Sequence, residues 1–439
     1  MSSILTHSTD AKLTKAPLRF NTLSEWLKWQ EGLHFTAIEL GLDRCRKVAE
    51  KMGLLPPNFT VISIAGTNGK GSSATMLEAM LLKEGYNTGV YTSPHLLRYN
   101  ERIRINGSEI DDAMLCEAFN RIDQARENIS LTYFEFGTLA AIDIFQQSGI
   151  EIAIMEVGMG GRLDAVNMLD ADVSLVCTVD LDHENWLGHD RNAIGREKAG
   201  IFRSMRPAIC ADPAPPSSVI DTAELVGARF FLAGREFTSE ISENSWIWQS
   251  GLTRYEELPK PGNHPHQIRN AAGVLMALHT IQDRYPIKKE TIYGCLRDFR
   301  LPGRFQIIPG EIPCILDVAH NRQAAAILAE NLKSLPKTGR NLFVVGMLKD
   351  KNHQVLFDSL ASLANEWYLT SLSVDRGAHV EDIAKALTSI VGDISVRKYD
   401  NINGALVQAY SDALPGDRVI VTGSFITVGA ALTWLRSNR

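Results

Sequence analysis

The feature that most constrains the fold of this chain is a glycine-rich heptapeptide, Gly66-Thr67-Asn68-Gly69-Lys70-Gly71-Ser72, which stands directly between a predicted strand and a predicted helix. The strand is the apolar, β-branched run 61–65, and the helical pattern extends from Ser72 to about Glu84. Glycine lets a backbone bend around an anion, and the N–H groups at the start of a helix point positive partial charge at it. Lys70 adds a full positive charge. The heptapeptide therefore predicts a phosphate loop that binds a nucleoside triphosphate.

The heptapeptide departs from the common G-x-x-x-x-G-K-[ST] pattern of phosphate loops. Ile64 occupies the place of the first glycine, and Gly71 separates Lys70 from Ser72. The alternative interpretation is a glycine-rich turn that Ser72 caps. The strand–loop–helix context favours the phosphate loop, but it does not indicate which reaction the nucleotide serves.

Strands and helices alternate along most of the 439 residues, which indicates an α/β fold with a mostly parallel sheet covered on both faces. Leu301-Pro302-Gly303 interrupts this pattern, because Pro and Gly end helices, and the alternation then restarts. We therefore predict a flexible tail over 1–22, a P-loop domain over 23–300 and a smaller α/β domain over 301–439. The less regular stretch 231–265 is interpreted as loop and edge-strand elaboration.

The composition excludes several classes of protein. A formal net charge of -6 argues against a chain built to coat nucleic acid or an acidic membrane, since both need a positive field. No apolar run approaches the roughly 18 residues of a membrane span, and the N-terminal stretch lacks a hydrophobic signal core. The 6 cysteines show no zinc-site spacing and are expected to be reduced. We expect a cytoplasmic monomer without nucleic-acid or membrane partners.

Further strings follow the heptapeptide in a definite order. They are Thr92-Ser93-Pro94-His95-Leu96, the run EVGMGGRLD over 156–164, Asp182-His183, Glu197-Lys198-Ala199-Gly200, Leu301-Pro302-Gly303-Arg304 and Asp317-Val318-Ala319-His320-Asn321. Together with the heptapeptide, they resemble the Mur ligase superfamily, in its folylpolyglutamate synthase and dihydrofolate synthase branch. The resemblance extends from about Glu25 to the C terminus. It implies an N-terminal P-loop ATPase domain followed by a Rossmann-like ligase domain; Val318 replaces a glycine that is frequent in the family.

The resemblance implies an ATP-dependent amide ligase of folate and tetrahydrofolate biosynthesis, and hence of one-carbon metabolism. Such an enzyme adds L-glutamate to dihydropteroate, forming dihydrofolate, and to folates, forming polyglutamates, through an acyl phosphate. Three alternatives stay open: polyglutamylation alone, a cell-wall Mur ligase and a nucleotide-binding switch. The cell-wall enzymes have an additional N-terminal domain, and only about 60 residues precede the phosphate loop here.

Glu156 ends a buried strand, at the edge where α/β sheets bind ligands, and a carboxylate suits Mg²⁺. The resemblance implies that two Mg²⁺ ions are held by Ser93, Glu156 and His183. It also implies catalytic roles for Lys70, His183 and a carbamylated Lys198, although from the residues alone Lys198 is predicted to be a solvated helix lysine. The implied nucleotide contacts are Thr67, Asn68, Gly69, Lys70, Gly71, Ser72, Asn270, Arg304 and Asp317. For Arg304 an interdomain salt bridge is the alternative, and for His183 a solvated or core histidine.

The acceptor substrate is assigned by the resemblance as well. The implied dihydropteroate contacts are Glu39, Leu40, Gly41, Leu42, Thr132, Tyr133, Leu163, Asp164 and Ala165. The aromatic side chains of Tyr133, Phe134 and Phe136 suit a flat pterin, but ordinary core packing is an equally good interpretation. His320 and Ser424 are the expected contacts of the incoming glutamate.

Overall fold

The computed structural model describes residues 18–262, 265–336, 338–392 and 396–438. Its largest element is an eight-stranded sheet with the strand order β4-β3-β2-β5-β1-β6-β7-β8. Only the pairings of β3 are antiparallel, and the hairpin that it forms with β4 turns at Asn106-Gly107. The strands are β1 (Thr60–Ala65), β2 (Thr88–Tyr91), β3 (Ile103–Ile105), β4 (Ser108–Glu109), β5 (Ile152–Glu156), β6 (Val173–Val176), β7 (Pro207–Cys210) and β8 (Arg229–Leu232).

Helices cover both faces of this sheet, as the continuous apolar character of its strands predicts. Along β1, the side chains of Val61 and Ala65 join the core on one face, whereas Ile62 and Ile64 join the core on the other. The helices of this half are α1 (Leu23–Glu31), α2 (Asp43–Lys51), α3 (Lys70–Lys83), α4 (Asp112–Arg126), α5 (Tyr133–Gln147), α6 (Glu184–Leu187), α7 (Arg191–Ala199), α8 (Ser217–Val226), α9 (Pro265–Thr280) and α10 (Lys289–Arg297). Helix α3 begins two residues before the predicted start.

A separate three-stranded antiparallel sheet lies where loops and an edge strand were expected. Its strands are β9 (Thr238–Ile241), β10 (Ser245–Ser250) and β11 (Thr253–Pro259). The indoles of Trp246 and Trp248 are fully buried, and Trp248 Nε1 donates a hydrogen bond to the Ala272 carbonyl of α9 at 3.1 Å. An edge strand is present, since β8 ends the large sheet, but the loops expected after it were wrong, because Trp246 and Trp248 on alternate positions pack this segment against the core of the large sheet.

The C-terminal part forms a six-stranded sheet with the order β12-β13-β17-β14-β15-β16. Strand β12 pairs antiparallel with β13 and was not predicted, whereas the other pairings are parallel. The strands are β12 (Gln306–Ile308), β13 (Cys314–Leu316), β14 (Asn341–Val345), β15 (Glu366–Thr370), β16 (Arg397–Tyr399) and β17 (Arg418–Thr422). The helices are α11 (Arg322–Ser334), α12 (His353–Leu360), α13 (Val380–Val391), α14 (Ile402–Asp412) and α15 (Phe425–Asn438).

The break predicted at Leu301-Pro302-Gly303 lies between α10 and β12, so it separates the two large sheets. The domain bounds 23–300 and 301–439 stay a prediction, and most of the tail predicted over 1–22 lies outside the described residues. In the part of the chain that the structure describes, no helix has the length and apolarity that crossing a bilayer requires.

Candidate active site

The carboxyl ends of β1, β5 and β6 open into a cavity of about 770 Å³ between the two large sheets. Strand β1 lies between β5 and β6, and Ile64 is paired with Glu156, so the phosphate loop and Glu156 leave the sheet side by side. This edge is where open α/β sheets bind their ligands. The other wall comes from the C-terminal part, through the segments 304–307 and 317–320.

The predicted phosphate loop joins β1 to α3, which begins at Lys70. Gly69 precedes the helix with φ +91°, and a Cβ at this position would lie 2.4 Å from Asn270 Oδ1, so any other residue would strain the backbone and displace the Asn270 side chain. Lys70 Nζ donates to the carbonyls of Gly66 and Thr67, at 2.9 and 3.4 Å. The loop thus combines the unpaired N–H groups of a helix start with an ammonium held over its backbone, which is an arrangement suited to anions.

Thr67 and Asn68 fix the loop to the segment that follows β6. The Thr67 amide donates to the Thr178 carbonyl at 2.7 Å, and Thr67 Oγ1 donates to the Asp180 carbonyl at 2.9 Å. The Asn68 amide donates to Thr178 Oγ1 at 3.2 Å. Asn68 Nδ2 also reaches the C-terminal part, where it donates to Gln323 Oε1 at 2.6 Å. The loop is therefore held from both halves of the molecule.

Helix α9 supports the same loop from the side. Gln267 Nε2 donates to Ser72 Oγ at 3.3 Å, and Asn270 Nδ2 donates to Gln267 Oε1 at 3.2 Å. The predicted nucleotide residue Asn270 is thus in the cavity wall and next to the loop. Gln267 was not predicted, although it stands three residues before Asn270, one helical turn away.

Glu156 ends β5 in the cavity, and Ser93 lies beside it, since the Ser93 amide donates to Glu156 Oε2 at 3.2 Å. Burial raises the pKa of the Glu156 carboxyl, while the charges of Lys70 and Arg304 oppose that rise. Among the described residues, no group of three or more His, Cys, Asp or Glu side chains is arranged to hold a metal ion by itself. Mg²⁺ normally takes only one or two carboxylates from a protein and completes its shell with water and substrate phosphates.

His183 lines the cavity just before α6, in the left-handed conformation with φ 52°. Burial lowers its pKa to about 4, and Lys351 adds to the effect, so the imidazole is neutral near pH 7 and one ring nitrogen keeps a lone pair. The structure therefore places His183 at the site rather than in solvent or in the apolar core.

Asp182, the neighbour of His183, connects the two halves of the protein. Its carboxylate accepts hydrogen bonds from Lys351 Nζ at 2.7 Å and from Asn321 Nδ2 at 3.0 Å, and His320 Nε2 lies at 3.8 Å. Burial raises the pKa of Asp182, but His183 and His320, which are protonated at low pH, together with Lys351 lower it well below its ordinary range. Lys351 was missed by the sequence reasoning, although it follows β14 on the ligand-binding edge of the second sheet.

Lys198 is only 4% exposed and lines the cavity from α7. Burial lowers its pKa to about 7, and the nearby Lys70 contributes to the shift. The expectation from the residues alone, a solvated helix lysine, was wrong, because α7 packs against the turn that follows Glu156, where the Arg162 amide donates to the Glu197 carbonyl at 2.7 Å, and so Lys198 is buried. The family resemblance had pointed to the cavity.

Arg304 and Asp317 lie together in the wall that the C-terminal part provides. Asp317 accepts backbone hydrogen bonds from Phe305 and Ala319, at 2.8 and 2.9 Å. The Arg304 guanidinium lies 4.9 Å from the centre of the Phe425 ring. Burial lowers the pKa of Arg304, whereas the carboxylates of Asp317 and Glu156 oppose the shift. Phe425 was not predicted, but it follows β17 at the same sheet edge as Asp317.

The two predicted glutamate contacts have different environments. His320 lines the cavity, and its Nδ1 donates to the Val318 carbonyl at 2.8 Å if that nitrogen bears the proton. Ser424 is buried and does not line the cavity; its Oγ accepts the Thr427 amide at 3.1 Å and so caps α15. Its visible role is to fix the turn that presents Phe425.

The segments 39–42, 132–133 and 163–165, which we call the acceptor region, do not line this cavity. They nevertheless lie together, since the Gly41 amide donates to the Leu163 carbonyl at 3.0 Å. Tyr133 packs edge-on against Tyr99 at 5.6 Å between ring centres. Asp164 accepts the amides of Met159 and Val166, at 2.9 and 3.0 Å, and burial raises its pKa to about 7. Asp164 therefore shapes the turn that follows Glu156.

Comparison with known proteins agrees with this geometry. A model of the Mur ligase middle domain matches residues 64–214, and a model of the Mur ligase glutamate ligase domain matches residues 303–425. The dihydrofolate synthase/folylpolyglutamate synthase of Escherichia coli K12 is 41% identical over 427 residues, which cover 97% of this chain and 99% of that protein. This chain belongs to the Mur ligase family. It is an ATP-dependent ligase of the dihydrofolate synthase/folylpolyglutamate synthase group.

Other members of this group are also similar to this chain over nearly its whole length. The dihydrofolate synthase/folylpolyglutamate synthase of Haemophilus influenzae is 38% identical, over 92% of this chain and 96% of its own length. The structure of Escherichia coli FolC in complex with DHPP and ADP superposes with a TM-score of 0.91 at 41% identity and covers 97% of this chain and all of that one. A bifunctional synthase crystallised with Mn, AMPPNP and L-glutamate gives 0.88 at 42% identity, covering 96% of this chain and 99% of that one.

Proposed function

We propose that this ligase is bifunctional and that one cavity serves both of its reactions, the addition of L-glutamate to dihydropteroate and to reduced folates. The observation that supports this proposal is the convergence of Lys70, Glu156, His183 and Lys198 from one half with Arg304 and His320 from the other, around one space of about 770 Å³. A related structure contains a nucleotide together with DHPP, and another contains a nucleotide analogue together with L-glutamate.

A carboxylate does not react directly with an amine to form an amide, because oxide is a poor leaving group. The carboxylate must therefore be activated first. A carboxylate oxygen of the acceptor attacks the γ-phosphorus of ATP, so ADP leaves and an acyl phosphate forms. The amine of glutamate then attacks the acyl carbon, loses a proton to solvent and expels inorganic phosphate, which leaves an amide. Catalysis of such transfers is mainly positioning and neutralisation of charge. Lys70 and the N–H groups of the loop would bind the polyphosphate, and Arg304 would approach it from the second half.

The residues present fit a divalent cation. Glu156 is a buried carboxyl whose ionised form a cation would favour, and His183 is neutral with a lone pair available. Ser93 lies next to Glu156 and would add its hydroxyl. When bound, Mg²⁺ neutralises the polyphosphate and polarises its oxygens. We assign Ser93, Glu156 and His183 as its protein ligands, with two ions taken up alongside ATP.

Lys198 is proposed to be carbamylated. Its Nζ would attack CO₂, lose a proton to solvent and become an anionic carbamate, which replaces a buried cation near Lys70 by an anion. Only the neutral amine is nucleophilic, and its pKa is lowered to about 7. The modified fraction should therefore rise as the pH increases through about 7. Intact-protein mass spectrometry with and without bicarbonate measures it; a mass that never increases by one CO₂ at any pH contradicts the proposal.

Two product assays test the proposed function. The protein is incubated with Mg-ATP and L-glutamate, once with dihydropteroate and once with tetrahydrofolate, and the products are analysed by mass. We expect dihydrofolate from the first and a lengthened glutamyl chain from the second. A lengthened glutamyl chain without dihydrofolate would indicate that polyglutamylation is the only activity. ATP hydrolysis that is independent of both acceptors would favour the nucleotide switch.

We also propose that the enzyme acts as a monomer, because one chain supplies every residue assigned above. Sedimentation analysis at assay concentration tests this. The cytoplasmic location stays a prediction from the sequence.

A further inference from the structure

The acceptor region is held together by a chain of charged side chains that does not belong to the cavity. Arg44, near the start of α2, lies between two acidic residues from different parts of the sequence. Its Nη1 contacts Glu39 Oε1, and its Nη2 donates to the Glu39 carbonyl at 3.1 Å. The same Nη2 forms an ion pair with Glu135 Oε1 at 3.2 Å. One guanidinium therefore joins segment 39–42 to the start of α5.

Glu135 transmits this contact to the backbone of the acceptor region. The side chain of Glu135 is only 3% exposed. Its Oε2 accepts hydrogen bonds from both the amide and the hydroxyl of Thr132, at 2.8 and 2.9 Å, while Thr132 Oγ1 accepts the Glu135 amide at 3.2 Å. This reciprocal capping box fixes the first turn of α5, where Thr132 and Tyr133 stand.

A second connection runs in parallel through His34. Its Nε2 lies 2.9 Å from Glu39 Oε2, and its Nδ1 contacts Ser130 Oγ, two residues before Thr132. Both carboxylate oxygens of Glu39 are thus engaged by groups that lead to the segment 130–135. Segment 163–165 is attached to segment 39–42 through the hydrogen bond from the Gly41 amide to the Leu163 carbonyl.

The charges explain why Arg44 matters more than an ordinary surface arginine. Glu39 and Glu135 are both acidic, and both contact the same guanidinium. Removal of the guanidinium leaves the buried Glu135 carboxylate without a positive charge to balance it and near the negative charge of Glu39, which is costly and drives the two segments apart. A lysine would keep the charge but cannot form the planar fork that reaches two acids at once.

We propose that Arg44 is a positioning residue for the acceptor substrate: by joining Glu39 to Glu135 it sets the geometry in which the three segments of the acceptor region bind the pteridine acid. This inference rests on the proposed function, because it takes the acceptor region as the binding site of dihydropteroate and folates. It predicts that Arg44 governs acceptor binding while the nucleotide cavity, to which it does not contribute, is unaffected.

The test compares Arg44→Gln and Arg44→Lys with Arg46→Gln, a change of an exposed arginine two positions further along α2. Misplacement of a binding surface without loss of a reacting group costs on the order of ten- to a hundredfold. We expect Arg44→Gln to raise KM for dihydropteroate and for tetrahydrofolate by this factor, with kcat and the Kd for ATP nearly unchanged. Arg44→Lys should recover part of the loss, and Arg46→Gln should match the wild type.

A double substitution checks that Arg44 acts through Glu135. If it does, Arg44→Gln combined with Glu135→Gln raises the acceptor KM no more than the worse single change, because the unpaired carboxylate has also been removed. Additive effects would overturn the proposal. So would an unchanged acceptor KM in Arg44→Gln, or an equal loss of ATP binding, which would indicate general damage to the fold. If the wild type makes neither product, the proposed function fails; if it makes both and Arg44→Gln is normal, this inference alone fails.

Discussion

The nucleotide cavity and the acceptor region of this ligase are held in different ways. Around the phosphate loop, most of the supporting contacts are made by the backbone or by short polar side chains, as with Thr67 and Thr178. In the acceptor region, segment 39–42 and the start of α5 are joined through ionised side chains that centre on Arg44, and segment 163–165 is attached by the backbone bond from Gly41 to Leu163. Both sites are therefore built from segments far apart in sequence, but uncharged polar contacts hold the phosphate loop in place, whereas ion pairs hold the acceptor region together.

The largest effect is expected at Glu156, which both reactions need. Glu156→Gln keeps the shape but removes the anion that favours a cation, and we expect turnover with either acceptor to fall by about a thousandfold. Burial already disfavours the ionised form of Glu156, so the neutral amide should leave the melting temperature equal or higher. Parallel assays with dihydropteroate and tetrahydrofolate, together with a thermal melt, measure this. Loss of only one activity would break the claim of a shared cavity.

The second largest loss of activity is expected when the contact between the two halves of the protein, at Lys351 and Asp182, is removed. Lys351→Met removes the ammonium at 2.7 Å from Asp182, beside His183, and leaves a mostly buried carboxylate without that partner. We expect kcat/KM to fall by about ten- to a hundredfold for both acceptors alike, as for other groups that orient a metal site. Lys349→Met, at an exposed position two residues earlier, is the control. A rise in KM for both acceptors with kcat unchanged would place Lys351 with the acceptor region instead.

A smaller effect is expected from a methyl group added to the phosphate loop. Gly69→Ala places a Cβ 2.4 Å from Asn270 Oδ1 at φ +91°, whereas Gly85→Ala meets nothing within 4 Å at φ +93°. Both changes should cost about 1 kcal/mol or more through backbone strain. Only Gly69→Ala should also weaken ATP binding in calorimetry, and acceptor KM should not change. Equal ATP affinities in the two variants would contradict the close packing of the loop.

The smallest effect is expected in the acceptor region, from loss of one helix cap. Thr132→Ala and Thr22→Ala each remove the Thr of a capping box, at the starts of α5 and α1. Each should cost about 1 kcal/mol of stability in urea unfolding. Acceptor KM should rise severalfold only for Thr132→Ala, since Thr132 both caps α5 and belongs to the acceptor region. Similar kinetics of the two variants would remove Thr132 from that region.

The sequence could predict features that lie within one contiguous string, but it could not predict contacts between distant segments. The phosphate loop, Glu156 and His183 stand at strand ends within contiguous strings, so the unit of strand, loop and helix could be placed before the structure was known. The burial of Lys198, the ion pair of Lys351 with Asp182 and the stacking of Phe425 on Arg304 depend on the approach of distant segments. Local patterns contain no information on such contacts, and the burial of Trp246 and Trp248 against α9, which supports the three-stranded sheet over 238–259, was missed for the same reason.

The central claim, that the cavity activates a carboxylate by phosphorylation, is tested most directly by following oxygen. Dihydropteroate labelled with ¹⁸O in both carboxylate oxygens is converted with Mg-ATP and L-glutamate, and the released phosphate is analysed by mass. The account predicts that each phosphate contains one ¹⁸O, because the attacking oxygen stays on phosphorus when the amide forms. Unlabelled phosphate, released together with dihydrofolate, would contradict it.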